Sequence, residues 1–157
     1  DTHFSHKNIL NFCPNTRQGK DHFEHDEILI ANWQKQVQPH DRVYLLGDVF
    51  FTDAVRARSI MARLPGQKHL IYGNHDRVIQ SNHDLRNMFV SVSDYKEIRV
   101  GDQKVVMFHF PQLEWNHMHH GAYCLFGHVH GSMDQHPFVT NGRTMDVGVD
   151  SRSDGEV

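Results

Sequence analysis

Three stretches of this sequence join metal-binding residue types to segments that belong in a core. Gly73-Asn74-His75-Asp76 follows Leu70-Ile71-Tyr72, Gly47-Asp48 follows Val43-Tyr44-Leu45-Leu46, and Gly127-His128-Val129-His130 follows Tyr123-Cys124-Leu125-Phe126. A fourth apolar run, Val105-Val106-Met107-Phe108, ends in His109, and Asp1-Thr2-His3 supplies a further pair. Polar side chains at the carboxyl ends of strands are where open α/β sheets gather their chemistry. In an extended segment residues i and i+2 face the same side, so Asp1 and His3 can share one ion, and His128 and His130, bracketed by glycines, make a good ligand pair. A carboxylate behind a fully apolar strand is costly to bury without a cation, which is the argument for Asp48.

Each fragment alone has a plainer reading. A D-x-H pattern occurs in surface turns, Asp48 could cap the turn that follows it, and Asn74 could close an Asx turn. Taken together, two carboxylates (Asp1, Asp48), four imidazoles (His3, His109, His128, His130) and one amide (Asn74) suffice for two ions that share a carboxylate. Mixed nitrogen and oxygen ligands suit Mn, Fe, Zn or Ni, and not a thiolate-loving metal. Two such ions about 3.5–4 Å apart stabilise both the attacking and the leaving oxygen of an in-line displacement. Phosphate ester hydrolysis is the reaction that needs this most.

Composition sets the frame. The 157 residues include 15 histidines, a surplus of the side chain that both binds metals and carries protons near neutral pH. A length of this order predicts one domain over residues 1–157. The formal net charge of −3 offers no electrostatic footprint for duplex nucleic acid. No apolar run is long enough for a membrane-spanning helix, and no signal peptide is visible. Two cysteines, Cys13 and Cys124, are read as ordinary thiols of a cytoplasmic protein.

The elements that must position these residues follow from periodicity. Residues 4–22 predict a short helix and a loop. Asp26 to Gln38 predicts an amphipathic helix stopped by Pro39, and Arg42 to Val49 a buried strand. Asp53 caps a second helix that ends at Pro65-Gly66, and Lys68 to Tyr72 is the next strand. Residues 77–90 are weakly helical. Tyr95 to Val100 and Gln103 to Phe108 flank Gly101-Asp102 as a hairpin, and Ala122 to Phe126 is a strand after the irregular loop 111–121. Phe138 to Thr140 and Arg143 to Val149 flank Asn141-Gly142, the strongest short hairpin signal in the chain. Trp33 and Phe51 are expected in the core, and the tail 151–157 is expected to fray. The pattern predicts an α/β protein with a two-sheet mixed β-sandwich flanked by helices.

In this order, D-x-H, G-D, G-N-H-D, a later His and G-H-x-H resemble the calcineurin-like metallophosphoesterase superfamily. D-T-H-F-x-H-x-N-I at the start, F-H-F-P, and M-D-V-G-V-D near the end are similar to its small single-domain bacterial and phage members. The resemblance implies a four-layer fold, with Asp1, His3, Asp48 and His130 holding one ion. Asp48 (bridging), Asn74, His109 and His128 would hold the other. It implies that His75 is catalytic, stabilising the transition state or protonating the leaving oxygen, that Asp76 orients His75, and that water activated between the ions attacks. It also places a central strand immediately before the first ligand aspartate. Here that aspartate is residue 1, so the strand is expected to be absent from this sequence.

The expected function is that of a dinuclear metal-dependent phosphodiesterase acting on a small, cyclic or short single-stranded phosphodiester. A phosphomonoesterase or a nucleoside polyphosphate pyrophosphohydrolase is the enzymatic alternative, and a metal-binding interaction scaffold the non-enzymatic one. Arg17, His6 and Trp115 are the expected substrate contacts, Arg17 by pairing a phosphate oxygen and Trp115 as an aromatic wall. The expected partner is a small phosphoester, a nucleotide among the candidates, with no duplex nucleic acid and no membrane.

Overall fold

The computed structural model describes residues 1–133 and 142–151. Two sheets carry the architecture. The first contains β1 (Arg42–Leu45), β2 (Gln67–Ile71) and β3 (Ser91–Ser93), in that order and all parallel. The second contains β4 (Tyr95–Val100), β5 (Gln103–Phe108), β6 (Tyr123–Phe126) and β7 (Thr144–Asp146). Within it β4 and β5 form the expected antiparallel hairpin at Gly101-Asp102, whereas β5, β6 and β7 run parallel. The protein is thus a mixed α/β structure with two sheets, of which only the second is mixed.

Period-two alternation sends each strand's side chains to two different cores. In β1 and just beyond it, Val43 and Leu45 face the helices while Tyr44 and Leu46 face the other sheet. In β2, Leu70 and Ile71 divide the same way. Leu46, Ile71 and Met107, with Val105, Ile98 and Leu125, form the seam between the sheets. On the outer face of the first sheet lie α2 (His22–Gln36) and α3 (Ala54–Met61), which contribute Leu29, Ile30, Trp33, Ile60 and Met61. Trp33 is fully buried, as expected, and its indole N–H donates to the Pro65 carbonyl. The short helices α1 (Ile9–Phe12), α4 (Arg77–Ser81) and α5 (His83–Arg86) fill the connections.

Several expectations need correction. Helix α2 starts at His22 rather than Asp26, because the Asp21 carboxylate accepts from the Phe23 and Glu24 N–H groups and caps the first turn. Strand β1 stops at Leu45 rather than Val49, because Gly47 and Asp48 both take left-handed backbone angles. The three-residue β3 has no apolar run to announce it, and its pairing to β2 is what makes it a strand. Helices do not flank both faces among the described residues. The outer face of the second sheet is covered by the loop through Trp115 and a single 3₁₀ turn at Met118–His120. Residues 138–141 of the expected second hairpin lie outside the described residues, and Thr144–Asp146 pairs in parallel with β6. No helix among the described residues is long and apolar enough to cross a membrane.

Candidate metal centre

The parallel strands of both sheets deliver their carboxyl ends to one place. β1 leads to Asp48, β2 to Asn74 and His75, β5 to His109, β6 to His128 and His130, and β7 to Asp150. The Asp1–Phe4 segment is stitched to the turn after β1, where His3 N–H donates to the Asp48 carbonyl and Phe4 N–H to that of Val49. The turns themselves close up only because Gly47 and Gly73 lack side chains. A Cβ on Gly47, whose φ is +85°, would lie 2.5 Å from the Gly73 nitrogen and from His109 Nδ1, and one on Gly73 would run into the Asp48 carboxylate.

Two ligand-type groups result, and they share one residue. Asp1, His3 and Asp48 each bring a ligand atom within 4.8 Å of the others, and so do Asp48, His109 and His128. His3 Nε2 lies 3.8 Å from Asp1 Oδ1 and 3.9 Å from Asp48 Oδ2. In the second group His109 Nδ1 donates to the Leu46 carbonyl at 2.7 Å, which leaves Nε2 as the lone-pair nitrogen. That nitrogen is 3.0 Å from Asn74 Oδ1, 3.2 Å from His128 Nδ1 and 3.6 Å from Asp48 Oδ2. A nitrogen lone pair, an amide oxygen and a carboxylate oxygen converging without a proton between them is an arrangement that a cation resolves.

Three observations make the residues fit divalent ions. Asp1 Oδ1 and both ring nitrogens of His3 are buried without a hydrogen-bond partner, a costly state that coordination would remove. Burial pushes the His3, His109 and His128 imidazoles below their ordinary pKa, so their lone pairs are free at neutral pH. Among the described residues six non-glycine positions have positive φ, and four of them are His3, Asp48, His128 and His130, at +50° to +71°. Strain of this kind persists where the surroundings enforce it, typically at functional sites.

His130 sits beside the first group, its ring centroid 4.7 Å from that of His3. Its Nδ1 is 2.6 Å from Asp150 Oδ2, so the Nδ1 hydrogen donates and Nε2 keeps the lone pair. Asp150 went unrecognised in the sequence, although it closes the M-D-V-G-V-D run; it lies in the 3₁₀ turn Val149–Ser151 that follows β7. Cys13 Sγ lies 3.9 Å from the same His130 nitrogen, but burial pushes its thiol up to about 11. Cys13, His130 and Asp150 also bring ligand atoms within 4.8 Å of one another, a third ligand-type group beside the first two.

Three expected roles are overturned. Arg17 does not face a substrate: its side chain is fully buried, with Nε and Nη2 on Asp150 at 2.8 and 2.7 Å and its remaining donors on the Thr2 and Asp1 carbonyls. Trp115 packs with Val106, Ala122 and Cys124 on the far face of the second sheet, its indole N–H bound to the Ala122 carbonyl. Asp76 does not orient His75. Its buried carboxylate accepts from the Asp48, Val49 and Gly73 N–H groups at 2.7–3.0 Å, and so clamps the two ligand-bearing turns together. His6 keeps a place at the site, and Phe51, expected in the core, stacks on His3 at 4.5 Å.

The Arg17–Asp150 pair gives a pH dependence. Against the upward push of burial, hydrogen bonds from His130, Arg17 and Thr16 hold the Asp150 carboxyl below the usual carboxylate range. A depressed folded pKa adds stability that is fully present above the unfolded value of about 3.9 and is lost as the pH falls through the folded one. In metal-free protein, Asp150→Asn is expected to cost on the order of 1.5–3 kcal/mol at pH 6, and the deficit should shrink below pH 4. Urea unfolding of both forms between pH 3 and pH 6 checks this. A deficit that stays constant across that range contradicts it.

No protein-family model matches the chain. It is 29% identical over 146 residues to the uncharacterized protein MJ1445 of Methanocaldococcus jannaschii, covering 91% of this chain and 74% of that protein. It is 31% identical over 157 residues to the gene 66 protein of Mycobacterium phage D29, covering 83% of this chain and 78% of that protein. Among solved structures it is similar to the protein of unknown function AQ665 from Aquifex aeolicus, with a TM-score of 0.73 and 26% identity over 96% of this chain and 88% of the other.

Proposed function

We propose that this chain, which belongs to the family of the gene 66 protein of Mycobacterium phage D29, is a dinuclear metal-dependent phosphoesterase of the calcineurin-like type acting on phosphodiesters. The observation that carries the reading is Asp48, the one carboxylate common to two ligand groups at the ends of four parallel strands. On this reading the two packed sheets are the sandwich of that superfamily. Asp1, His3, Asp48 and His130 would hold one ion, and Asp48, Asn74, His109 and His128 would hold the other. When bound, two divalent ions, Mn²⁺ foremost, supply charge stabilisation of the phosphoryl oxygens and activation of water.

The chain's own residues do the rest. Asp48 Oδ1 accepts from the His75 N–H at 2.9 Å, which ties the bridging carboxylate to the loop that carries the catalytic imidazole. The His75 side chain is exposed and packs at 5.1 Å on Phe51, at the edge of a cleft it shares with His3 and His130. From there it supplies a proton to the leaving alcohol. A P–O bond forms to the oxygen of water, the P–O bond to the alcohol breaks with its electron pair, and the His75 proton completes the alcohol. The proton released by the attacking water passes to solvent, from which the imidazole is reprotonated. Asp76 acts indirectly, as a positioning residue for Asp48 and for the turn after β2.

The test is hydrolysis of bis-p-nitrophenyl phosphate beside p-nitrophenyl phosphate, with Mn²⁺ returned to metal-stripped protein. The expected result is Mn²⁺-dependent turnover with kcat/KM higher for the diester. Higher kcat/KM for the monoester overturns the diester assignment, and no metal-dependent turnover on either overturns the enzyme reading.

A further inference from the structure

The cleft beside the metal centre is walled by rings. It measures about 430 Å³ and is lined by His3, His6, Phe12, Phe51, His75 and His130 among others, within the size range of small-molecule sites. Phe51 meets His6 edge-on at 4.3 Å and lies 5.1 Å from His75, while Phe12 lies 5.8 Å from His6, its ring tilted against it. Phe12 is 68% exposed, so its ring is accessible at the mouth of the cleft. His6 Nδ1 is buried and has no hydrogen-bond partner. None of the described residues lining the cleft is Lys or Arg, so a polyphosphate tail finds no counter-charge among them.

A surface built of Phe and His rings recognises a planar ring by stacking. Because Phe51 touches both the cleft and His75, such a ring lies on the side where the leaving oxygen departs. We infer that Phe12, Phe51 and His6 form a subsite for the nucleobase of the leaving group, so that the substrate class is a phosphodiester whose leaving alcohol is a nucleoside. The inference rests on the phosphodiesterase reading above. It differs from it in assigning the specificity to three residues that hold no metal ion.

The experiment compares two dinucleoside monophosphates on the Mn²⁺-loaded protein, one intact and one with an abasic sugar at the leaving position, with products separated by chromatography. Base–aromatic stacking predicts a kcat/KM about 10-fold or more higher for the intact substrate. Phe12→Ala and Phe51→Leu should each bring that ratio toward one. Equal rates for the two substrates in the wild-type protein overturn the subsite and leave the phosphodiesterase reading standing. If neither is hydrolysed while bis-p-nitrophenyl phosphate is, the nucleoside assignment is overturned as well. If no diester at all is hydrolysed, calorimetric titration of adenosine 5′-monophosphate against ribose 5-phosphate decides the subsite by itself. Tighter binding of the nucleotide that Phe12→Ala abolishes supports it, and equal binding overturns it.

Discussion

Replacing His75 by alanine is expected to lower turnover of bis-p-nitrophenyl phosphate by about 10²–10⁴-fold, the range typical of a lost general acid. The metal content should not change. His75 contributes only its backbone N–H to Asp48 Oδ1, which alanine retains, and its side chain makes no hydrogen bond within the described residues. If His75→Ala lost its Mn²⁺ along with its activity, the residue would be a ligand or a structural support. Unchanged turnover would remove it from the mechanism. A diester with a poorer, alkoxide leaving group should be more sensitive still to the substitution, since its leaving oxygen depends more on the proton.

Asp48→Asn is expected to weaken Mn²⁺ binding more than about 100-fold at both sites together. Loss of an outer supporting residue alone costs about 10–100-fold, and Asp48 is a charged member of each ligand group. The amide keeps the shape of the side chain and can still accept from the His75 N–H, so the fold itself should survive. By contrast, His128→Ala touches only the group with His109 and should weaken one site and spare the other. Calorimetric titration of Mn²⁺ into stripped protein separates the cases. Retention of one full-affinity site in Asp48→Asn would contradict a bridging role.

The candidate site was more legible in the sequence than its support. Asp48, His109 and His128 stand out because a polar residue ending an apolar run is visible locally, and the structure brings those three together. Arg17 was misread because its partner Asp150 is 133 residues away, and nothing local separates an arginine aimed at a phosphate from one buried against a carboxylate. Asp76 was misread for a similar reason. Its three donors are backbone N–H groups on two turns, and backbone donors leave no mark on the sequence.

Phe51 and Trp115 exchanged places relative to expectation. Both are large aromatics near ligand residues, and only the path of the chain decides which one reaches the cleft. The left-handed turn at Gly47-Asp48 ends β1 early and carries Phe51 over His3. The loop after β5 folds back instead, and puts Trp115 on the outer face of the second sheet. The same turn explains why the strand expected to reach Val49 stops at Leu45. The strand–helix alternation of the first half and the β4–β5 hairpin were legible because period and turn residues agree there. The short β3 was not, since its three residues carry neither signal.

The central claim is that one chain holds two ions on ligand groups sharing Asp48. The most direct measurement is the number of Mn²⁺ ions bound per chain, by elemental analysis of stripped protein after reloading and desalting. Two ions per chain in the wild-type protein, and none retained in Asp48→Asn, is the predicted result. A single ion per chain, or none, would contradict the account.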